Sequence, residues 1–453
     1  MARARLGRGI AAGAAAVLVW AAAASTGSAQ EERVRELERR IDILAAEIEQ
    51  LKTAGAAPEL DLEGRPGLAP AASKVYGIGH GVSLGGYGEM LYESYAGERE
   101  DGTSIDTPSR LDFLRAIIYA GYKFSDRILF NSEMEFEHAT SGAGSVSLEF
   151  AYVDFLLAEQ LGVRAGLLLL PMGFLNELHE PPIFLGATRP ETERRIIPST
   201  WRENGAGFYG TAGDFTYRAY VTNSFDGPGG GASGASGFDA GGLRGGRQKG
   251  AKALAEDLAL TVRADFEGVA GLVVGGSLFA GNTGQGRETA PGKNGRVQEG
   301  PAAKRAESGE ISAFTMIAEG HADYSFRGLS LRGLASVATV DEADRLNALN
   351  GYSGTASVGE TLAGGYVQAG YDVLRHVRED QELIPYIRYE WIDTQKEVPA
   401  GYAADPANQK HIITAGAAYK PILNVVIKAD YQFHRNDAET GVDQFNLVLG
   451  YLF

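Results

Sequence analysis

Gln444-Phe-Asn-Leu-Val-Leu-Gly-Tyr-Leu-Phe453, the end of the chain, repeats with a period of two. Phe445, Leu447, Leu449, Tyr451 and Phe453 fall on one face, with Gln444 and Asn446 on the other, the pattern of a β-strand with two unlike sides. Val425, Ile427, Ala429, Tyr431 and Phe433 repeat it against Lys428, Asp430, Gln432 and His434. Phe215 to Val221 opposes Arg218 and Thr222, and Leu258 to Phe266 opposes Thr261, Arg263 and Asp265. An apolar, aromatic-ended face suits lipid, and the polar face suits a water-filled lumen.

Working outward from these segments, strands are expected near 87, 117, 132, 151, 166, 207, 219, 261, 275, 318, 334, 367, 387, 415, 428 and 448. The segment near 151 alternates poorly, which predicts a bulge. Short turns are expected at Ser125-Asp126, Glu159-Gln160, Ala212-Gly213, Glu267-Gly268, Arg327-Gly328, 378–380 and Pro421. Between them lie longer loops at 96–108, 139–145, 171–202, 225–252, 282–309, 340–358, 394–408 and 436–441. Strict alternation of short and long connections is the pattern of an outer-membrane barrel. The expected fold is an all-β, sixteen-stranded antiparallel transmembrane β-barrel, which leaves an aqueous channel and no open sheet edge.

Composition agrees. The chain has 453 residues, no cysteine, 61 glycines, 20 tyrosines and a formal charge of −16. A mean hydropathy of −0.14 is too polar for a helical membrane protein. The acidic balance argues against a nucleic-acid partner, and absence of cysteine removes disulfides and thiolate metal sites.

The N-terminal region reads differently. Arg3, Arg5 and Arg8 precede an apolar stretch from Ile10 to Ala24 and small residues to Ala29, so 1–29 is expected to be a signal peptide. Residues 30–53 then place Val34, Leu37, Ile41, Leu44, Ile48 and Leu51 at alternating spacings of three and four, a short α-helical coiled coil expected in the periplasm. The a/d rule leans towards two strands, whereas Arg33-Val-Arg-Glu-Leu-Glu38 resembles the motif that marks parallel trimers; a helix packed on its own domain is the alternative. Residues 54–74 read as a linker and 75–453 as the barrel.

Candidate functional residues follow from position and parity. The loop 171–202 carries Glu177, His179, Glu180, Arg189, Glu191, Glu193, Arg194, Arg195 and Arg202, and Ile183-Phe-Leu185 could pin it to the wall. Opposed charges on such a loop would create a transverse field across a narrowed lumen. Arg115, Arg164, Arg218, Arg263, Arg332, Arg388, Lys428, Glu133, Glu135 and Glu137 sit opposite apolar faces and are expected to line the lumen, where charge costs least. Gly227 to Gly246 reads as a mobile glycine-rich loop. Gly286 to Lys293 departs from the spacing of a phosphate loop, and His179-Glu180 lacks the second histidine of a zinc protease. No catalytic set and no cofactor or metal site is expected.

The heptads from Val34 to Leu51, Gly85-Gly-Tyr-Gly-Glu89, Arg164-Ala-Gly-Leu-Leu-Leu-Leu-Pro-Met-Gly-Phe174 and Tyr451-Leu-Phe453 together resemble the phosphate-selective porin O/P family, in the branch with a periplasmic coiled coil. The resemblance implies homotrimers of sixteen-stranded barrels that pass small anions along an arginine and lysine ladder. Arg115, Arg218, Arg263 and Arg332 are the candidates for its rungs. The terminal strand ending at Phe453 resembles the signal read by the outer-membrane insertion machinery. The solute is then expected to be phosphate or an organic anion such as a dicarboxylate. A non-selective general porin and a structural tether to the cell wall through the coil are the alternatives.

Overall fold

The computed structural model describes residues 67–453, except 140, 141, 143, 159, 288–308 and 379. The expected signal peptide, coiled coil and first part of the linker lie outside the described residues.

Sixteen strands run in chain order: β1 (Gly81–Tyr95), β2 (Arg110–Ser125), β3 (Ile128–Glu137), β4 (Val146–Ala158), β5 (Leu161–Leu169), β6 (Arg202–Ala212), β7 (Phe215–Asn223) and β8 (Leu258–Val269) form the first half. β9 (Leu272–Gly281), β10 (Thr315–Phe326), β11 (Leu329–Val340), β12 (Thr361–Tyr371), β13 (Glu382–Glu397), β14 (Gln409–Ile422), β15 (Val425–Asn436) and β16 (Gln444–Leu452) form the second. Each pairs antiparallel with its sequence neighbours, and β1 pairs with β16 to close the barrel. Every expected strand centre falls inside its strand.

The two faces separate as parity requires. On β16, Phe445, Leu447 and Leu449 stand exposed on the outside, whereas Asn446 and Val448 are buried. Val82, Leu84, Phe208, Leu260, Val367 and Ile387 extend the same exposed apolar belt around the wall. Inside are Lys428, Asp430, Gln432, Arg263 and Glu133, all buried. A polar interior under an apolar exterior inverts the arrangement of a water-soluble protein and matches a lipid surround. Among the described residues no helix is long and apolar enough to cross a membrane.

Three details differ from the sequence reading. Pro421 lies within β14 rather than in a turn. A register shift between Tyr419 and Ile422 accommodates its missing donor, and the connection falls at Leu423-Asn424. The turn expected at Glu267-Gly268 instead falls after a register shift beyond Phe266, at Ala270-Gly271. The linker expected to extend to residue 74 is helical at its end: α1 (Pro70–Gly77) lies against the inner wall near the short-turn end. Val75 fills the space over Gly121, and the Ala71 carbonyl lies 3.0 Å from where a Cβ on Gly85 would stand. Ala69 offers no capping side chain, so no helix-start signal beyond Pro70 was present to be read.

The bulge expected in β4 is present. Glu133 pairs with Phe150 and Met134 with Leu148, which skips Glu149 and turns both Glu149 and Phe150 inward.

Candidate functional site

The segment between β5 and β6, here called the inner loop, enters the barrel. Its neck is closed by Asn176, whose Nδ2 donates to the carbonyls of Leu170 (2.7 Å) and Trp201 (2.9 Å) while its Oδ1 accepts from the Trp201 N–H. Trp201 stacks on Phe225 with ring centroids 4.3 Å apart, and Met172, Phe174 and Leu175 join the same apolar core. The loop then descends to Glu180, whose carboxylate accepts from the N–H groups of Ala71 and Ala72 and so caps α1 from outside the helix.

From there it runs along the inner wall past β16 to β15 and β13. Lys428 Nζ donates to the Gly186 carbonyl (2.9 Å) and lies over the Phe184 ring, so Phe184 does pin the loop. Asp430 accepts from the Ala187 N–H, Arg388 donates to the Thr188 carbonyl and Glu390 accepts from the Thr192 N–H. Glu193, in the short helix α2 (Thr192–Arg195), accepts from the Leu175 N–H and from Tyr366 Oη. Glu193 is therefore a structural strut rather than an open lining group.

The expected lumen-wall charges all sit on β-strands, and most are held in buried pairs. Arg164 is bidentate to Asp154, which also accepts from Tyr76 of α1. Arg332 pairs with Asp323 and covers Phe174. Arg218 and Arg263 share Glu177 and Asp265, and Asp265 also meets His321. Arg218, Arg263 and Arg332, three of the arginines that the resemblance suggests as rungs of a ladder, are thus each paired with a carboxylate, which lowers the cost of burying a guanidinium. Arg202 belongs to β6, not to the loop, and pairs with Glu149. His179 Nε2 lies 3.1 Å from Glu133 and 3.3 Å from Glu149. Burial works against the imidazolium, but these carboxylates outweigh it and push His179 up to about 10.

Charges with access to open space gather elsewhere. A cavity of about 250 Å³ has Glu89, Glu93, Glu135 and Glu137 of β1 and β3 on its wall, with Arg115 paired to Glu89 at 3.2 Å. Arg189 and Arg194 of the inner loop and Arg244 of the next long loop complete its lining. Acid on the wall and guanidinium on the loops put a field across the opening. A second cavity, about 400 Å³, is lined by Arg194, Arg195, Arg244, Arg247 and Lys249, with Asp239 as its one acid. Burial and mutual repulsion push Arg244 down to about 9 and Arg247 to about 10. Glu191, outside both, holds Arg194 and Arg195; burial opposes its charge, yet the two guanidiniums keep it down at about 2.

Arg244, Arg247 and Lys249 were missed because their glycine-rich segment read as mobile. It is packed instead: Phe225, Phe238 and Leu243 are fully buried in the core of the inner loop. Gly242, at φ +122°, lets the chain pass so close to Arg195 that a Cβ would stand 2.5 Å from its carbonyl oxygen. The alternation of aromatic anchors with glycine was the available signal. Glu149 was missed because a bulge shifts parity by one.

No protein-family profile matches the chain, so the narrower resemblance to phosphate-selective porins has no such support. Among solved structures it is similar to Salmonella typhi OmpF in complex with daunomycin, with 13% identity, TM-score 0.52 and coverage of 83% of this chain and 98% of that one. It is also similar to a loop L8 deletion mutant of OmpT, an outer membrane protein of Vibrio cholerae, with 12% identity, TM-score 0.50 and coverage of 83% and 100%. At those identities the likeness is one of fold. Sequence similarity reaches further with an uncharacterized protein of Aquifex aeolicus (strain VF5), 37% identical over 374 residues, 81% of this chain and 78% of that one. Identity at that level over that span is that of relatives, and the chain belongs to the family of this Aquifex aeolicus protein.

Proposed function

We propose that this protein is an outer-membrane porin for passive diffusion of small hydrophilic solutes, with anions preferred. The observation that carries the reading is the inner loop, which spans a closed barrel from the Asn176 neck to Lys428 and Asp430 and leaves its passages lined by charge. The five basic side chains around the larger cavity, with Asp239 alone opposing them, favour anions over cations there. Phosphate and dicarboxylates are the solute classes to test first. Assembly as a homotrimer through Val34, Leu37, Ile41, Leu44, Ile48 and Leu51, delivery through the terminal strand and a periplasmic coil belong to the same proposal.

The test is the reversal potential of purified protein in a planar bilayer under a KCl gradient. An anion-selective value supports the reading, and competition by phosphate or succinate then ranks solutes. Cation selectivity would make Glu89, Glu93, Glu135 and Glu137 the working surface and remove the anion preference. A tether to the cell wall is favoured by one observation. α1 is held inside the wall by Asn131, Asp154 and Glu180, so force on the preceding chain would be borne by the barrel. Absence of conductance from folded protein would bring that reading forward.

A further inference from the structure

The group around His179 is short of hydrogen-bond partners. Glu133, Glu149 and His179 are 0%, 1% and 2% exposed, and one ligand atom from each lies within 4.8 Å of the others. His179 Nδ1 faces the Asn176 carbonyl at 3.1 Å, and an N–H donated there leaves Nε2 with its lone pair towards both carboxylates. That arrangement is repulsive unless a cation occupies the space between them. Among the described residues, Arg115 and Arg202 are the arginines that make ion pairs with Glu89, Glu135 and Glu149, and none reaches Glu133.

A proton on Nε2 is an incomplete solution. It brings one donor for two carboxylates. It also leaves Glu133 Oε2 and Glu149 Oε2 buried with no hydrogen-bond partner. A divalent ion supplies positive charge between the two carboxylates and a partner for Glu149 Oε2. Ligand bonds of about 2.0–2.2 Å in tetrahedral geometry put neighbouring donors roughly 3.3–3.5 Å apart. The observed separations from Nε2, 3.1 and 3.3 Å, require almost no movement. The Nδ1 contact to a backbone carbonyl and the Arg202 contact to Glu149 are the outer contacts that orient a histidine and a carboxylate ligand.

We propose that Glu133, Glu149 and His179 form a binding site for a divalent cation of the zinc class, which fastens the inner loop to β3 and β4. The bulge at Glu149 is what makes the site, since regular pairing would turn this carboxylate outward. Because Glu180 follows His179 directly and caps α1, the ion would also fix the helix below the loop. The proposal does not depend on which solute the barrel passes.

The experiment uses the full chain, stripped with EDTA, equilibrated with Zn²⁺ and freed of excess by gel filtration, with zinc counted by mass spectrometry and barrel integrity checked by heat-modifiable gel mobility. The expected result is about one zinc per chain in the wild type, falling at least tenfold in Glu133→Gln and in His179→Gln, and unchanged in Glu267→Gln. Co²⁺ in place of Zn²⁺ should give the intense visible bands of a four-coordinate ion. If the site variants do not fold, zinc content and the Co²⁺ spectrum of the wild type decide by themselves. Folded wild type without bound ion, or folded variants that retain it, would overturn the proposal.

Discussion

Two buried ion clusters anchor the inner loop, and they are built to different rules. Around Asp265, the carboxylates of Glu177, Asp265 and Glu319 meet Arg218, Arg263 and His321, and none of these side chains has a buried polar atom without a partner. Around His179, by contrast, Glu133 Oε2 and Glu149 Oε2 are buried and bare. In the first cluster β7, β8 and β10 place every charge beside its opposite, so the low dielectric strengthens attractions it has already satisfied. In the second the same dielectric magnifies a deficit. Burial by itself therefore does not mark a functional site; burial without balance does.

Removing a carboxylate should separate the clusters most sharply. Asp265→Asn leaves Arg218, Arg263 and His321 with Glu177 and Glu319 alone against them and should destabilise the barrel by about 3–5 kcal/mol, the usual cost of a broken buried pair, read as a lower temperature of heat modification. In EDTA-treated protein Glu133→Gln should cost less, because Glu149 still faces the His179 imidazole and one bare carboxylate oxygen is removed. Equal losses in both variants would erase the distinction.

The apolar neck shared by both anchors gives a comparable but less specific effect. Trp201→Ala removes the stack on Phe225 and should cost roughly 3–5 kcal/mol, with a larger and noisier single-channel conductance as the inner loop loosens. A smaller effect is expected at the basic cavity. Arg244→Glu should lower the chloride-to-potassium permeability ratio by about twofold or more with a smaller change in heat modification than Asp265→Asn, since Arg244 lies in neither cluster and holds the inner loop through Ser199 alone.

The smallest effect concerns Glu191. Its folded value of about 2 lies below that of a free carboxylate, so the stability it adds is present above about pH 4.5 and is lost only as pH falls through 2. The difference in heat-modification temperature between wild type and Glu191→Gln should therefore hold steady from pH 7 to about pH 5 and shrink below that. Glu191→Gln, which releases Arg194 and Arg195, should already be more anion-selective at pH 7.

Much of the barrel was legible because its rule is local. Lipid on one side and water on the other impose a period of two on every strand, and Phe445 to Leu449 or Val425 to Phe433 declare it within a few residues. The inward direction of Arg115, Glu133, Arg218 and Lys428 follows from the same parity. Their partners were not legible. Arg164 with Asp154 joins adjacent strands, but Glu177 with Arg218, and Lys428 with Gly186, are contacts that no periodicity records. The glycine-rich segment misled for the same reason: glycine content speaks of backbone freedom, whereas Phe225, Phe238 and Leu243 spend that freedom on packing.

From the residues alone came strand number, order, facing and the alternation of short and long connections, since each depends on neighbours in the chain and on the solvent either side of the wall. The descent of the inner loop, the capping of α1 by Glu180, the meeting of Glu133, Glu149 and His179 and the basic cavity were decided in three dimensions. Each rests on side chains far apart in sequence. Their shared burial changes the energy of a charge by more than any local preference can.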